Sequence, residues 1–564
     1  MTGPSLRCRL HLGALITLVC TLAASPAHAG VSYRNGNFFI GYSDLSFAGG
    51  MELKIDRVFN SKSSYKGMFG FGWGSDYEVF LRSYLDGSVV VSENGGGAKN
   101  AFFPVDPADI HVEREVEAVI AARAKKETLA GPALASYGQT LRNDERFRHD
   151  EADRWLRGTA LPEIPEGTRL ISSKFSFQYL VRTPEGFRRV FDNGQVQTFD
   201  RAGLLVRIAD AHGSFVELSR DDSGRIVRLS DDFGRWISLE YQEVGFVARA
   251  TTSSGQTAEY RYRGLDPVWM RDSDGDGFSY RYSADGRMNL VGIGYLDGSS
   301  LQVGYYPVTM GESVAFIEDR DGSLLRYRYG GDGPGGLVAD TTVERFDPEW
   351  KVISTSRYEY EERVGAGGRR YTYRLTSDEN GDVTSTIYSA PCGVPLEIKH
   401  GGEYTRFLYD PLCHVTRKET PVGLTELEYS AVGKVSRVKK SARDGAGWKL
   451  ETDASYSYDE AGNLMHAEGW AVGEDRRSLD LEYDAKGRIK EVRGEKTLRF
   501  TYNQDSRPTK IEVLGLGSID VTYTEKGDIK NVESAGGKQA ALQVTSIFQQ
   551  LLDLIRPAGV SLSF

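Results

Sequence analysis

The stretch Tyr483-Asp-Ala-Lys-Gly487-Arg-Ile489 decides the fold, because the chain repeats it many times. Close copies begin at Tyr282, Tyr429, Tyr458 and Tyr523, and looser copies begin at Tyr409 and Tyr502. From Tyr409 onwards, successive tyrosines of the phrase are 20, 29, 25, 19 and 21 residues apart. A period of this length is typical of a repeat architecture, in which each unit packs mainly on its neighbours.

Each copy of the phrase has the features of a β-hairpin tip. Aromatic and β-branched residues alternate with polar ones before the tyrosine, as in Thr497 to Tyr502, which predicts a half-buried strand. An Asp or Ser then opens the turn, and the glycine four residues after the tyrosine supplies a positive φ angle. A lone hairpin buries too little apolar surface, so neighbouring hairpins must pack together. The turn positions predicted in this way are Tyr282 and Gly286, Tyr429 and Gly433, Tyr458 and Gly462, Tyr483 and Gly487, and Tyr523 and Gly527.

The composition indicates the same fold class. The 564 residues include 30 Tyr, 25 Phe and 64 Gly, which suits many short strands and tight turns. We predict an all-β protein: a curling array of antiparallel hairpins that forms a sheet or partial shell, with a helical insertion and a C-terminal capping helix. The formal net charge of −10 and the lack of a basic cluster argue against nucleic acid as a partner.

Residues 1–29 have the features of a secretory signal peptide. Arg7 and Arg9 precede an apolar run from Leu12 to Leu22 that is too short to span a bilayer, and Ala27-His28-Ala29 is a small-x-small cleavage site. We therefore predict cleavage before Gly30 and export to the periplasm or out of the cell. No later stretch of about 18 apolar residues predicts a transmembrane segment.

Removal of the predicted signal leaves two cysteines, Cys392 and Cys413, which are 21 residues apart, one repeat period. Cys413 holds the glycine position of the copy that begins at Tyr409. Two cysteines on adjacent hairpins in an oxidising compartment favour a disulfide bond, and two separate thiols are the alternative. Without a C-x-x-C motif, a redox or zinc role has little support. A lipoprotein site at Cys20 is the weaker alternative to the signal peptide, because bulky residues precede it.

Helical patterns interrupt and follow the repeats. Residues 110–126 combine helix-forming composition with apolar residues near helical spacing, and a second short helix is predicted from Asn143 to Leu156. An apolar stripe near the C-terminus is formed by Val544, Ile547, Phe548, Leu551, Leu552 and Ile555. It predicts a helix that caps the open end of the array, with docking on a partner or membrane surface as the alternative. The predicted domains are residues 1–29 (signal peptide), 30–105 (N-terminal β domain), 106–158 (helical insertion), 159–535 (repeat array) and 536–564 (C-terminal helix and tail).

Motifs for metal binding or catalysis are weak. Asp272-Ser-Asp274-Gly-Asp276-Gly277 begins like a calcium loop, but Ser283 stands where a bidentate acid is needed, so a simple Asp/Gly turn is favoured. No histidine has a partner at H-E-x-x-H spacing, and no G-x-S-x-G motif occurs. The sequence therefore predicts no catalytic residue, no metal and no cofactor.

The hairpin phrase resembles the YD repeat of the RHS family, and the N-terminal region strengthens this resemblance. The motifs that carry it are Asn35-Gly-Asn37-Phe38, Ser43-Asp44-Leu45, Arg57-Val-Phe59-Asn60-Ser61 and Phe69-Gly-Phe-Gly72-Trp73. With the repeats they cover about residues 31–105 and 185–530. The resemblance implies an RHS-like β-shell. The self-cleavage motif that releases a C-terminal toxin in larger RHS proteins has no match here.

We therefore expect a non-catalytic scaffold that binds or encloses a ligand at the cell envelope. The expected ligand is carbohydrate or a partner protein, and carbohydrate is favoured only by analogy with the family. One alternative is a truncated shell that chaperones or delivers a separately encoded toxin. Another is an enzyme that acts on glycans, which would need two close carboxylates in a cleft.

Overall fold

The computed structural model describes residues 29–47, 51–95, 97–127, 130–159, 163–172, 178–191, 193–210, 213–332, 337–365, 368–390, 392–431, 433–460, 462–473, 475–504, 507–524 and 529–535. Within these ranges the chain is mostly antiparallel strand. No described helix has the length and apolar character to cross a membrane. Residues 1–28 of the predicted signal peptide (1–29) and the whole predicted C-terminal helix and tail (536–564) lie outside the described residues, whereas Ala29 is the first residue of a described strand.

The N-terminal region begins with a small sheet in the order β1-β2-β3-β6. The first strands are β1 (Ala29–Val31), β2 (Phe38–Phe47), β3 (Leu53–Asn60), β4 (Lys66–Gly67), β5 (Gly70–Phe71), β6 (Trp73–Gly74), β7 (Phe80–Ser83), β8 (Val89–Ser92) and β9 (Lys99–Pro104). Every second residue of β3 is buried, as expected for a strand with one face on a core. The helices that follow are α1 (Val112–Ala124), α2 (Gly131–Asn143) and α3 (Glu145–Trp155).

The repeat region forms a long ribbon of paired strands. Its first part contains β10 (Arg169–Ser172), β11 (Gln178–Thr183), β12 (Gly186–Phe191), β13 (Val196–Asp200), β14 (Leu205–Ala209), β15 (Phe215–Arg220), β16 (Ile226–Asp231), β17 (Trp236–Tyr241), β18 (Val247–Thr252), β19 (Thr257–Arg263), β20 (Asp266–Arg271), β21 (Gly277–Tyr282), β22 (Leu290–Tyr295), β23 (Ser300–Tyr305), β24 (Val314–Glu318), β25 (Leu324–Gly331) and β26 (Val338–Phe346).

The second part contains β27 (Val352–Val364), β28 (Arg370–Glu379), β29 (Asp382–Tyr388), β30 (Pro395–His400), β31 (Glu403–Tyr409), β32 (Val415–Glu419), β33 (Gly423–Tyr429), β34 (Val435–Asp444), β35 (Gly447–Tyr458), β36 (Leu464–Ala471), β37 (Arg477–Tyr483), β38 (Ile489–Arg493), β39 (Thr497–Tyr502), β40 (Pro508–Val513), β41 (Gly517–Tyr523) and β42 (Ile529–Ala535). Because β9 pairs with β10 and each later strand pairs with the next, β7 to β42 form one 36-stranded antiparallel sheet.

One face of the ribbon packs on the N-terminal sheet. A single apolar core joins N-terminal residues such as Phe38 and Trp73 to ribbon residues from Leu170 in β10 to Val343 in β26. A flat sheet of that many strands would be about 80 Å wide. A compact domain of the size of β1 to β6 is only about 30 Å across. The ribbon must therefore curl around the N-terminal sheet, which confirms the predicted all-β curling array.

A second apolar core lies further along the ribbon and includes Val438, Ala454, Tyr456 and Leu481. We call the face that carries these residues the inner face and the opposite face the outer face. The two cores are separate: between Phe346 and Leu424, Cys392 is the one buried apolar side chain among the described residues. The strands from β27 to β32 therefore lack an apolar core.

The helices form a small subdomain with its own apolar core. This third core contains Tyr84, Val90, Val116, Val119, Tyr137, Leu141 and Ala152. The structure shows three helices where the sequence predicted two, because Gly131–Asn143 forms α2, whose proline at the first turn is compatible with a helix start. The predicted helix from Asn143 corresponds to α3, which begins at Glu145 after the cap residue Asp144.

The helical subdomain also contacts the tip of the longest hairpin, β27 to β28. Arg370 at the start of β28 forms an ion pair with Asp144 at 3.0 Å. The guanidinium carbon of Arg369 lies 4.5 Å from the centre of the Phe103 ring. These contacts link the tip of this hairpin, in the middle of the ribbon, to the insertion and to β9.

Candidate functional site

The repeat corners share one backbone geometry. In the copy that begins at Tyr483, the Asp484 amide donates to the Arg488 carbonyl at 2.9 Å, and the Gly487 amide donates to the Asp484 carbonyl at 3.0 Å. The Asp484 carboxylate accepts from the amides of Lys486 and Arg488 at 2.9 and 3.0 Å. Gly487 has a φ angle of 72°, in the left-handed region where a side chain is strained. In this copy the turn thus uses both the short acid and the glycine.

The corner tyrosine ties each hairpin to the preceding one. The Tyr483 hydroxyl donates to the carbonyl of Leu464, the first residue of β36, at 3.0 Å. The same kind of bond, at 2.6 to 3.0 Å, is made by Tyr241, Tyr262, Tyr305, Tyr409, Tyr429, Tyr458, Tyr502 and Tyr523. The strand register shifts beside each of these tyrosines, and such a bulge re-aims a side chain.

The predicted turn residues occupy these corners, with one exception. Gly433 and Gly462 have φ angles of 77° and 86°. Gly527 lies outside the described residues.

The exception is the copy at Tyr282. Tyr282 pairs with Leu290, eight residues further on, whereas Tyr483 pairs with Ile489, six residues further on, so this turn is two residues longer. Gly286 keeps a positive φ of 78°. The Tyr282 hydroxyl accepts a hydrogen bond from Trp73 Nε1 at 2.9 Å, so the N-terminal sheet takes the place of the preceding hairpin as its partner.

We predict that Tyr502→Phe lowers the free energy of unfolding by about 1 kcal/mol, because it removes the bond to the Ile489 carbonyl at 2.8 Å while keeping the ring. Tyr404→Phe is the matched control, since the Tyr404 hydroxyl makes no hydrogen bond within the described part of the chain. Urea unfolding measures both variants. Equal effects would contradict a stabilising role for the corner bond.

The structure contains the predicted disulfide between Cys392 and Cys413, whose Cα atoms are 5.6 Å apart. Cys413 has a φ angle of 65°, as its glycine-like position requires. The bond joins the β29–β30 turn to the β31–β32 corner. It therefore cross-links the part of the ribbon that has no apolar core.

The acidic motif at Asp272 forms the turn between β20 and β21, with the same hydrogen bonds as the repeat corners. The Asp272 amide donates to the Asp276 carbonyl at 2.9 Å, and the Asp272 carboxylate accepts from the amides of Asp274 and Asp276, each at 2.9 Å. The carboxylate is thus used to hold the turn. This geometry agrees with the predicted Asp/Gly turn.

Arg57 and Asp44 form a buried ion pair where the N-terminal sheet meets the ribbon. Arg57 Nε and Nη2 both donate to the Asp44 carboxylate, and the two residues are 1% and 2% exposed. Tyr260 donates to Asp44 at 2.7 Å, and Tyr280 accepts from Arg57 at 3.1 Å. The guanidinium carbon lies 4.8 Å from the centre of the Trp73 ring. Asp44 and Arg57, which both lie in the RHS-like motifs, therefore form a structural clamp between the N-terminal sheet and the ribbon.

A second buried charged cluster holds the helical subdomain. Asp86, Glu115, Arg148 and His149 are each at most 3% exposed. Asp86 Oδ2 lies 3.1 Å from His149 Nε2 and 3.2 Å from Arg148 Nη2, and Glu115 accepts from the Asp86 amide at 3.0 Å. The cluster joins the β7–β8 turn to α1 and α3.

The charged groups in this cluster shift one another's pKa values. Burial and the charge of Asp86 raise the pKa of Glu115 to about 7. Burial alone would lower the pKa of His149, but the hydrogen bond and charge of Asp86 raise it. Burial would raise the pKa of Asp86, but His149, Ser88 and Arg148 lower it.

Asp86, Glu115 and His149 are residue types that bind divalent metals, and their ligand atoms lie within 4.8 Å of one another. The guanidinium of Arg148, however, already contributes a positive charge beside Asp86, and lies 4.0 Å from Glu115 Oε1. We interpret the cluster as a structural clamp.

The cluster also lacks the geometry of a serine nucleophile. Ser88 Oγ lies 2.6 Å from Asp86 Oδ1, and both Ser88 and Asp86 contact the same ring nitrogen of His149. A serine triad needs the acid on the other ring nitrogen. The Ser88 hydroxyl is also fully buried.

The inner face changes from apolar to polar where the two main cores are separated. Residues that face one another across adjacent strands form two inner rows: Tyr360, Leu375, Thr386, Ile398 and Thr405, and then Phe407, Lys418, Thr425, Lys440 and Thr452. Hydroxyls and ammonium groups on this face are compatible with water or a polar ligand rather than an apolar core. We call these two rows the polar inner strip.

Comparison with known proteins supports the repeat assignment. The model of a domain of unknown function, DUF6531, matches residues 29–100, and the Teneurin YD-shell model matches residues 406–561. No curated protein matches the sequence.

The chain is also similar to solved structures. One is a crystal structure of TcdB2-TccC3-TEV, with 12% identity, a TM-score of 0.44, and coverage of 94% of this chain and 29% of that one. Another is the Photorhabdus luminescens Tc holotoxin pore carrying a TccC3 mutation, with 11% identity, a TM-score of 0.31, and coverage of 90% and 32%. This chain thus spans about a third of the length of the chains it matches.

The corner residues and the pairing of the two cysteines were predicted from the sequence, but the two buried charged clusters were not. Asp86 and His149 are separated by the strands β8 and β9 and the helices α1 and α2, and neither belongs to a spaced motif. For Arg57 the signal was present, since it lies in a quoted motif, but its partner tyrosines lie more than 200 residues away.

Proposed function

Because the chain is an RHS/YD-repeat protein, we propose that it acts as a non-catalytic scaffold that binds or encloses a partner polypeptide at the cell envelope. The observation that carries this proposal is the polar inner strip, a stretch of sheet whose inner side chains are not packed into either apolar core. A face with Thr, Lys, Tyr and Phe side chains offers both hydrogen bonds and apolar contacts to a ligand.

Two further observations support the proposal. The disulfide Cys392–Cys413 is suited to an oxidising compartment, in agreement with export through the predicted signal peptide. The titratable cluster around Asp86 is buried and joins the β7–β8 turn to α1 and α3, which supports a structural role for it. A toxin encoded separately would be one such partner, and carbohydrate is the competing ligand.

Site-specific photo-crosslinking tests the proposed function. A photoreactive phenylalanine analogue is introduced at Thr405, on the inner face of β31, or at Arg406, the next residue on the outer face, which is its matched control. We expect a polypeptide adduct in the exported protein from position 405 and none from position 406. Adducts at neither position, or equally at both, would contradict a partner on the inner face. Binding on a glycan array without an adduct would favour carbohydrate.

A further inference from the structure

The turn between β26 and β27 is a repeat corner with a tryptophan in the glycine position. The Asp347 amide donates to the Lys351 carbonyl at 3.0 Å, and the Trp350 amide donates to the Asp347 carbonyl at 2.9 Å. The Asp347 carboxylate accepts from the Lys351 amide at 2.8 Å. Trp350 has a φ angle of 66°, close to the 72° of Gly487. A bulky side chain is strained in this left-handed region, so the fold alone favours glycine at this position.

Trp350 belongs to a short run of exposed apolar side chains. Trp350 is 64% exposed, Val352 is 47% exposed and Ile353 is 57% exposed. Large apolar residues exposed singly are ordinary, but several together mark an interaction surface. We call Trp350, Val352 and Ile353 the rim patch. A strained backbone that presents an exposed tryptophan is more readily explained by binding than by folding.

The difference from the other corners explains why the rim patch is exposed. In the corner that begins at Tyr483, Ile489 holds the position of Val352 and is half-buried, and the hydroxyl of Tyr502 in the next corner donates to its carbonyl. The next turn after the rim patch, between β28 and β29, contains no tyrosine. The stack of corners is therefore interrupted at this point of the ribbon.

The surroundings of the rim patch are acidic. The β28–β29 turn lies beside the start of β27, because the Asn380 side chain accepts from the Thr355 amide at 2.9 Å and the Asn380 amide donates to the Thr355 carbonyl at 3.0 Å. Residues 347–353 and 378–383 contain five acids and one base. Arg345, opposite Ser354 on the adjacent strand, adds a second base and leaves a surplus of three acids. The five acids are Asp347, Glu349, Asp378, Glu379 and Asp382.

We propose that the rim patch docks a segment of a partner polypeptide that combines aliphatic and basic side chains. An exposed tryptophan with aliphatic neighbours has the composition of an interface anchor, and the surplus of acids complements basic side chains. The same acids repel the anionic headgroups of a membrane surface. A sugar ring would use the tryptophan face but not Val352 and Ile353. The rim patch shares no residue with the polar inner strip, so this inference goes beyond the proposed function.

Trp350→Gly separates docking from folding. Because glycine fits the left-handed corner, we expect the variant to unfold in urea at a concentration no lower than the unmodified chain does. Docking is measured by fluorescence anisotropy of the full exported chain with a labelled decapeptide of alternating lysine and leucine. We expect binding at least about tenfold weaker in Trp350→Gly, and weaker binding in Ile353→Ser as well. The matched control is Val422→Ser, a residue 74% exposed on the β32–β33 turn, which should bind within about twofold of the unmodified chain.

Four results would overturn the inference. These are no binding of the lysine–leucine decapeptide, an equal loss of binding in Val422→Ser, equal binding of a decapeptide of alternating glutamate and leucine, and a lower urea midpoint in Trp350→Gly, which would assign the tryptophan to the fold. Cosedimentation with vesicles of phosphatidylethanolamine and phosphatidylglycerol, without binding of the decapeptide, would also contradict it in favour of a membrane surface. The crosslink at Thr405 reports the inner face separately. If it forms while these tests fail, the proposed function stands and only this inference is lost.

Discussion

Replacing Arg57 by methionine is expected to lower the free energy of unfolding by about 3–5 kcal/mol, because it leaves the Asp44 carboxylate buried without its counter-charge. Methionine keeps most of the volume between Tyr42 and Trp73, so the loss reports the charge rather than a cavity. Tyr260 still donates to Asp44, but one hydroxyl does not replace a guanidinium. Urea unfolding of the exported chain measures the effect.

Two further variants isolate the ion pair. In Asp44→Asn/Arg57→Met both charges are absent, so we expect most of the lost stability to return. Arg249→Met is the control, because Arg249 forms an ion pair with Glu259 at 2.7 Å but is about half exposed, and its loss should cost at most about 1 kcal/mol. A loss in Arg57→Met no larger than in this control, or additive losses in the double variant, would contradict the clamp.

The fold could be predicted from the sequence largely because its rules are local. The Asp484 carboxylate accepts the turn's amide hydrogen bonds and Gly487 supplies its positive φ angle, both within a few residues. A single copy of the phrase is therefore enough to predict its own turn. The position of Cys413 shows the same principle, since it takes the glycine conformation of its corner. Strand alternation then fixes which side chains share a face.

The contacts that organise the whole molecule were not predictable in this way. Arg57 and Tyr280 meet only because the ribbon curls around the N-terminal sheet, and no periodicity encodes that approach. The hydrogen bond between Trp73 and Tyr282 has the same origin. The polar inner strip, by contrast, leaves a trace in the sequence: Lys418 takes a position of the alternation at which the following repeats carry Val438 and Val492. This pattern can be recognised only once the strand register is known.

The cluster that holds the helical subdomain should make stability fall as the pH rises. Glu115 has a pKa of about 7 in the folded chain against 4.5 for an ordinary glutamate, so the folded chain keeps a proton that the unfolded chain has lost. The stability this provides is complete below pH 4.5 and is lost as the pH rises to 7, a change of about 3 kcal/mol. His149 acts in the same direction. Its pKa is raised in the folded chain, so it contributes stability that is complete below pH 6.5 and is lost as the pH rises through the pKa of the folded state.

We therefore expect the chain to be less stable at pH 8 than at pH 5 by a few kcal/mol, and Glu115→Gln to remove much of this difference. Burial also raises the pKa of Glu78 to about 7, so this residue accounts for a further part of the stability difference between pH 5 and pH 8. Glu78→Gln should therefore reduce that difference independently. Glu113→Gln is the matched control, because Glu113 lies on the same helix but is exposed beside Arg142.

Urea unfolding at the two pH values provides the comparison. An unchanged difference in Glu115→Gln, or an equal change in Glu113→Gln, would show that the buried carboxyl does not control the pH dependence. Asp86 sets the lower limit of the range: its pKa is lowered, so the stability it provides is present above pH 3.8 and is lost only in stronger acid. Greatest stability is therefore expected in mild acid, where Asp86 is charged, Glu115 is protonated and the clamp on the helical subdomain is tightest.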